Sequence, residues 1–269
     1  MTQEQRRIIL IKMLIAEDSQ YSDIEIPQDM DEQKVLLRSL MNVRPTDTAP
    51  EGFLQIQDEY LRQAISEKGI TDCRDIPAVS DKGWLKNVSL WKGDITLLKC
   101  DAIANACNSG MLGCFQPMHL CIDNAIHTFA GIQLRIEMGR IMLAQGHEEP
   151  TGQAKITHGY NLPARHILHT VGPIVNGIPS EHDHAMLRSC YMSCLSLAAL
   201  HNLESVAFCC ISTGVFGFPK KSAAETAVKA VMDYMNENRE TSIKQVIFNV
   251  FSEQDEHIYS EILHEKTAL

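Results

Sequence analysis

Residues 97–127 read LLKCDAIANACNSGMLGCFQPMHLCIDNAIH. Leu97 to Ala106 is a near-continuous apolar run, which predicts a strand buried on both faces, as in a parallel sheet covered by helices. Asn108 to Cys121 predicts a loop. From Asp123 the spacing turns helical and stays so to Ala144. Strand, long loop and helix in succession point to an α/β architecture.

The chain on either side keeps this alternation. Strands are predicted at Val88–Trp91, Ala154–Gly159, Arg165–Val171, Val206–Ser212 and Gln245–Phe251. Helices are predicted at Glu181–His201, Ser222–Glu237 and Asp255–Leu263. Turns fall at Gly93–Thr96, Asn161–Ala164 and Thr213–Gly217. Residues 1–80 differ, with helical spacing over Gln5–Ala16, Asp31–Met41 and Gly52–Lys68, and Gly69 placed as a C-cap. The expected organisation is a helical N-terminal extension, 1–80, and one α/β domain, 81–269. The extension either packs on the main domain or serves as a partner-binding module.

The 269 residues carry 34 acidic and 24 basic side chains, a formal charge of −10, and 45% are apolar. That balance disfavours a general nucleic-acid binder, which would show a basic face, yet leaves room for a small anion held by backbone N–H groups. No apolar run reaches the ~20 residues of a membrane span, and the N-terminus lacks the pattern of an export signal. An odd number of cysteines, nine, scattered through apolar runs, points to reduced thiols and a cytoplasmic protein.

The loop inside the quoted stretch carries the chemistry. Cys114, His119 and Cys121 are soft donors within eight residues, the donor types that suit zinc. Three donors without an evident fourth favour a working metal over a structural one. The spacing alone is weak, and cysteines are often buried simply for packing. Three notable loops follow strands: Gly93-Asp94, Asn108–Cys121 and Thr213–Phe218. In open α/β sheets ligands gather beyond the carboxyl ends of the strands. Gly214 and Gly217 permit a backbone cradle for a pyrophosphate, although such a turn taken alone is more often only a turn.

These loops resemble, in order and in content, those of the macrodomain family. The matching segments are WKGDIT at 91–96, DAIANACNS at 101–109, DNAIH at 123–127, PTG at 150–152, GYNLP at 159–163, ILHTVGP at 167–173 and ISTGVFGFP at 211–219. The resemblance covers about residues 85–265 and leaves 1–80 outside. It implies a three-layer α/β/α fold with a mixed, largely parallel central sheet, and a site for ADP-ribose. Where most macrodomains have a glycine-rich run, this chain has GCFQPMHLC at 113–121. That feature resembles a zinc-containing branch of microbial macrodomains, often linked to sirtuin-type ADP-ribosyltransferases, which hydrolyses ADP-ribose from modified proteins.

The resemblance implies a role for each matched residue. Asp94 would accept from the adenine amino group and Ile95 would donate from its backbone; in isolation Asp94 also reads as a turn cap. Asn108 would hold the distal ribose, or else bond local backbone. Ser212, Thr213, Gly214, Val215, Phe216 and Gly217 would wrap the pyrophosphate. Phe251 would lie against adenine, or pack in the core. Asp123 would be catalytic with Asn108, or N-cap the following helix. Cys114, His119 and Cys121 would hold Zn²⁺. His127 reads as a partner behind the metal site or as packing. His166 and His169 face opposite sides of a strand, and His182 and His184 are expected in solvent. The implied activity is zinc-dependent removal of ADP-ribose from a protein, with an oxygen-linked carboxylate ester as the preferred bond. The rival is a reader that binds ADP-ribose around a structural zinc.

Overall fold

The computed structural model describes residues 1–267. Three helices come first: α1 (Gln3–Glu17), α2 (Met30–Val43) and α3 (Phe53–Lys68). Each has a local reason to begin. Thr2 and Gln5 form a capping box at α1, and the Asp29 carboxylate accepts from two N–H groups at the start of α2. Gly52 enters α3 in a left-handed conformation. Leu10, Ile11 and Leu14 of α1, Leu37, Leu40 and Met41 of α2, and Phe53, Tyr60 and Leu61 of α3 bury one another.

The strands follow as β1 (Thr71–Asp72), β2 (Val88–Lys92), β3 (Leu98–Lys99), β4 (Ala102–Cys107), β5 (Ala154–His158), β6 (His166–Val171), β7 (Ser205–Phe208) and β8 (Gln245–Val250). Helix α4 (Ile122–Ala130) and helix α5 (Ile132–Gln145) lie between β4 and β5; α6 (Glu181–Leu200), α7 (Lys220–Glu237) and α8 (Glu253–Thr267) follow β6, β7 and β8. Six strands make the central sheet in the order β2-β8-β7-β4-β6-β5, and β1 pairs separately with β3. Every pairing in the large sheet is parallel except that of β5 with β6. From β4 the chain moves toward β6, whereas β6 to β7 and β7 to β8 run the opposite way. Right-handed crossovers therefore put α4 and α5 on one face and α6 and α7 on the other, where α8 packs beside α7. The expected three-layer α/β/α fold with its mixed, mostly parallel sheet is what the chain adopts, with the N-terminal helices on the α4–α5 side. Ile132 and Ile136 of α5 belong to the same apolar cluster as α1–α3.

Local boundaries depart from the sequence reading in three places. The apolar run from Leu97 is not one strand. Ile95–Leu97 is a single 3-10 turn, β3 is a separate pair of residues, and Asp101 turns the chain by accepting from the N–H groups of Glu204 and Ser205. The helix expected over Asp123–Ala144 is two helices. Gly131, at φ 99° and ψ 170°, separates them in a conformation that is essentially restricted to glycine. The strand expected to reach Ser212 stops at Phe208, and Ser212 itself stands at φ 66°. No helix among the described residues is long and apolar enough to cross a membrane.

Candidate functional site

The carboxyl ends of β2, β8, β7, β4 and β6 lie on one edge of the sheet, and the loops that follow them form its rim. The chain leaves β4 in one direction and β7 in the other, so the switch point of this sheet opens between their loops. Those loops are 108–121 and 209–219.

After β2, the Asp94 carboxylate is fixed by its own turn. Its Oδ1 accepts from Thr96 N at 3.0 Å and Thr96 Oγ1 at 2.6 Å. The turn-capping role is thus observed, and it leaves Oδ2 for a ligand. Arg38 of α2 and Lys68 of α3 stand within electrostatic range of this carboxylate. The loop is tied to the end of β8 by Asn249, whose Nδ2 donates to Gly93 O at 2.9 Å. Phe251, just past β8, is 80% exposed. Core packing is therefore excluded for it, and its ring is free at the rim.

The glycine loop after β7 is folded on itself. Gly217 N donates to Gly214 O at 3.0 Å, Phe218 N to Ser212 O at 3.0 Å, and Val175 N to Phe216 O at 2.7 Å. Among the described residues none accepts from the N–H groups of Gly214, Val215 or Phe216. Such a row of free donors offers an anion hydrogen bonds. Ser212, in the left-handed region, buries a hydroxyl without a partner against Gly172. The expectation for His184 is corrected here. It is half-buried, bonds Thr226 Oγ1 at 2.8 Å, and stands edge-on to Phe218, 5.2 Å between ring centres, because α7 packs beside α6.

The loop after β4 holds the donor cluster. One donor atom from each of Cys114, His119 and Cys121 lies within 4.8 Å of the others. Cys114 Sγ and His119 Nδ1 are 3.6 Å apart, a separation consistent with two ligands of one tetrahedral ion at ~2.0–2.3 Å. All three side chains are half-buried, so the cluster keeps an open side. Burial pushes the Cys121 thiol up to about 11, against the N–H of Asn124; as ligands both cysteines would be thiolates. The donor set and its spacing fit zinc.

Behind the cluster, α4 begins at Ile122 and is capped by Cys121, not by Asp123. Cys121 is the N-cap, and its Sγ accepts from Asn124 N at 3.4 Å. Asp123 is released from capping and points into the sheet edge. Its Oδ1 accepts from Asn105 Nδ2 at 2.8 Å and its Oδ2 from Asn108 Nδ2 at 3.4 Å. Burial raises its carboxyl to about 6, opposed by the Asn105 hydrogen bond and by Arg135. Asn108 also bonds its own loop, accepting from Gly110 N at 3.0 Å and donating to Gly113 O at 3.2 Å. It is exposed at the rim all the same.

His127 lies one turn along α4, 3.6 Å from Asp123 Oδ1. Burial keeps the ring neutral, well below its usual range, so this contact is no ion pair. Gly113 makes room for it, since a Cβ there would come within 2.7 Å of the ring. His169 faces the same interior, bonded to Thr157 Oγ1 at 2.9 Å and near Asn105 Nδ2 at 3.2 Å. The sequence reading missed Asn105 and Arg135. Asn105 had a signal, being an amide inside an apolar strand. Arg135 had none. Its guanidinium donates to the carbonyls of Leu112, Met41, Asn42 and Arg44 and lies 4.2 Å from the Phe115 ring.

Comparison with known proteins agrees with this fold. A protein-ADP-ribose hydrolase of Treponema medium is 54% identical over 266 residues, covering 98% of this chain and 100% of its own. The family model for the Macro domain matches residues 104–227, from within β4 to within α7. The chain belongs to the macrodomain family. A second relative, a protein-ADP-ribose hydrolase of Staphylococcus aureus, is 47% identical over 237 residues, with 88% of this chain and 86% of that one aligned. A Trypanosoma brucei macrodomain solved in complex with ADP superposes with a TM-score of 0.66 at 30% identity, covering 84% of this chain and 96% of that chain.

Proposed function

We propose that this macrodomain is a hydrolase that removes ADP-ribose from mono-ADP-ribosylated proteins, using a zinc ion held by Cys114, His119 and Cys121. The observation that carries the reading is the location of the half-buried donor cluster. It sits between Asn108 and Asp123, beside the expected distal ribose, where the bond to the protein breaks. The names of the Treponema and Staphylococcus relatives and their long alignments support the hydrolase class.

Each part of the site has a task in this reading. Asp94 Oδ2 accepts from the adenine amino group, Ile95 N donates to the ring, and Phe251 lies on its face. In the 212–217 loop the free N–H groups of Gly214, Val215 and Phe216 hold the pyrophosphate. Asn108, fixed by Gly110 and Gly113, orients the distal ribose. Asp123, gripped by Asn105 and Asn108, orients the attacking water and takes its proton. Zinc bound at the cluster would supply Lewis acidity beside the scissile bond. The leaving group that suits this arrangement is a carboxylate ester, because an oxygen-linked carboxylate departs more easily than a nitrogen. The nine free thiols support a reducing, cytoplasmic setting, and a sirtuin-type ADP-ribosyltransferase is the partner enzyme that would supply the substrate.

The test is to incubate the purified protein with an ADP-ribosylated protein, with and without a chelator, while measuring its zinc. Near-equimolar zinc and release of ADP-ribose that the chelator abolishes are expected. Binding of ADP-ribose without release would make the protein a reader with a structural zinc.

A further inference from the structure

The N-terminal helices touch the donor loop in a specific way. Arg38 of α2 donates from Nη2 to the carbonyl of His119 at 3.2 Å and to Asn124 Oδ1 at 2.7 Å; its Nε also reaches Asn124 Oδ1, at 3.3 Å. Asn124 in turn holds the loop on three sides. Its Nδ2 donates to Cys114 O at 3.4 Å and Gln116 O at 3.0 Å, and its backbone N–H meets Cys121 Sγ. One turn along α2, Asn42 is almost fully buried and accepts from Met118 N at 3.1 Å. Met118 stands at φ 58°, a left-handed conformation that a methionine holds only when its surroundings impose it. It directly precedes His119.

We propose that α2 is the outer support of the metal centre, with Arg38 and Asn42 as positioning residues that fix His119 and, through Asn124, both cysteines. The inference rests on the metal reading above. A loop of mixed glycine, proline and aromatic residues has no internal ladder to hold three donors at bonding distance. The extension supplies that rigidity from outside, as groups behind metal ligands commonly do. It gives residues 1–80 a part in the reaction although they lie outside the family's matched region.

Arg38→Gln removes the fork that grips His119 O and Asn124 while keeping a polar side chain. Arg38→Lys keeps the charge. Gln33→Ala is the control: Gln33 is on α2, bonds Arg7 at 2.9 Å and Pro27 O at 2.7 Å, and makes no hydrogen bond to the donor loop. The readouts are the visible spectrum of the cobalt(II)-loaded full-length protein, the rate of zinc loss to a chelator, and the melting temperature. Arg38→Gln should lose zinc about 10- to 100-fold faster and show an altered cobalt band. Arg38→Lys should fall between, and Gln33→Ala should keep the wild-type spectrum and rate even if it melts earlier. Wild-type spectrum and zinc loss in Arg38→Gln would overturn the proposal alone. Equal acceleration in Gln33→Ala would also overturn it, since loosening the extension would then explain the effect. If the wild-type protein binds neither metal, this proposal and the metal reading fall together.

Discussion

At the scale of single residues, the site is organised by groups held before a ligand arrives. Asp94 spends one oxygen on Thr96, and the proposed function gives the other to adenine. Asp94→Ala should therefore weaken ADP-ribose binding by about 1.5–3 kcal/mol, the worth of a hydrogen bond to a charged group, or roughly 10- to 150-fold. Calorimetric titration checks this, and wild-type affinity would reduce Asp94 to a turn residue. His169 makes a prediction about pH. Burial depresses its pKa to about 3, so between its unfolded value of ~6.5 and that figure the unfolded chain takes up the proton first. Its contribution to stability is fully present above ~6.5 and is lost as pH falls. Asp123, with its raised pKa, has the opposite sign, so the comparison must be against a variant. Relative to His169→Gln, the wild type should lose about 2 kcal/mol of unfolding free energy between pH 7 and pH 5. Parallel urea titrations at the two pH values measure it, and an unchanged difference would mean that His169 is not held neutral.

At the scale of elements, what the sequence disclosed and what it hid have physical reasons. Alternating strands and helices were legible because burial on both faces of a sheet leaves a strong local pattern. So were the loops after β2, β4 and β7, since glycines and turn-forming residues mark them. The break between α4 and α5 was not legible, because apolar spacing continues on both sides of Gly131. Its cause is distant in the chain: Gln57 of α3 accepts from Ile132 N at 2.9 Å and so caps α5 from outside. A Cβ on Gly131 would meet Gln57 and Gln133 at 2.6 Å. Gly131→Ala should cost about 1–3 kcal/mol, lowering Tm by roughly 2–4 °C for each kcal/mol. An unchanged melting temperature would show that the corner relaxes freely. The same distance hid Arg38, Asn42 and Arg135. Their partners in the donor loop are 23 to 81 residues away, and no local pattern announces such a bond. Cys114, His119 and Cys121 were visible as a candidate donor set because they are close in sequence.

At the scale of the whole molecule, the proposed function assigns binding and bond cleavage to different parts of one rim. The loops assigned to adenine and pyrophosphate follow β2 and β7, while the Cys–His–Cys cluster follows β4 and is hydrogen-bonded from α2. Interactions that strengthen only in the transition state appear in the rate and not in ground-state affinity. The most direct test is to measure, on one preparation of His119→Ala, both ADP-ribose affinity and the rate of release from an ADP-ribosylated protein, with the melting temperature as a check on folding. Affinity within about tenfold of wild type, a difference of ~1.4 kcal/mol, together with severely reduced release, is the predicted result. A folded, metal-free variant that releases ADP-ribose at the wild-type rate would contradict it and make the zinc structural.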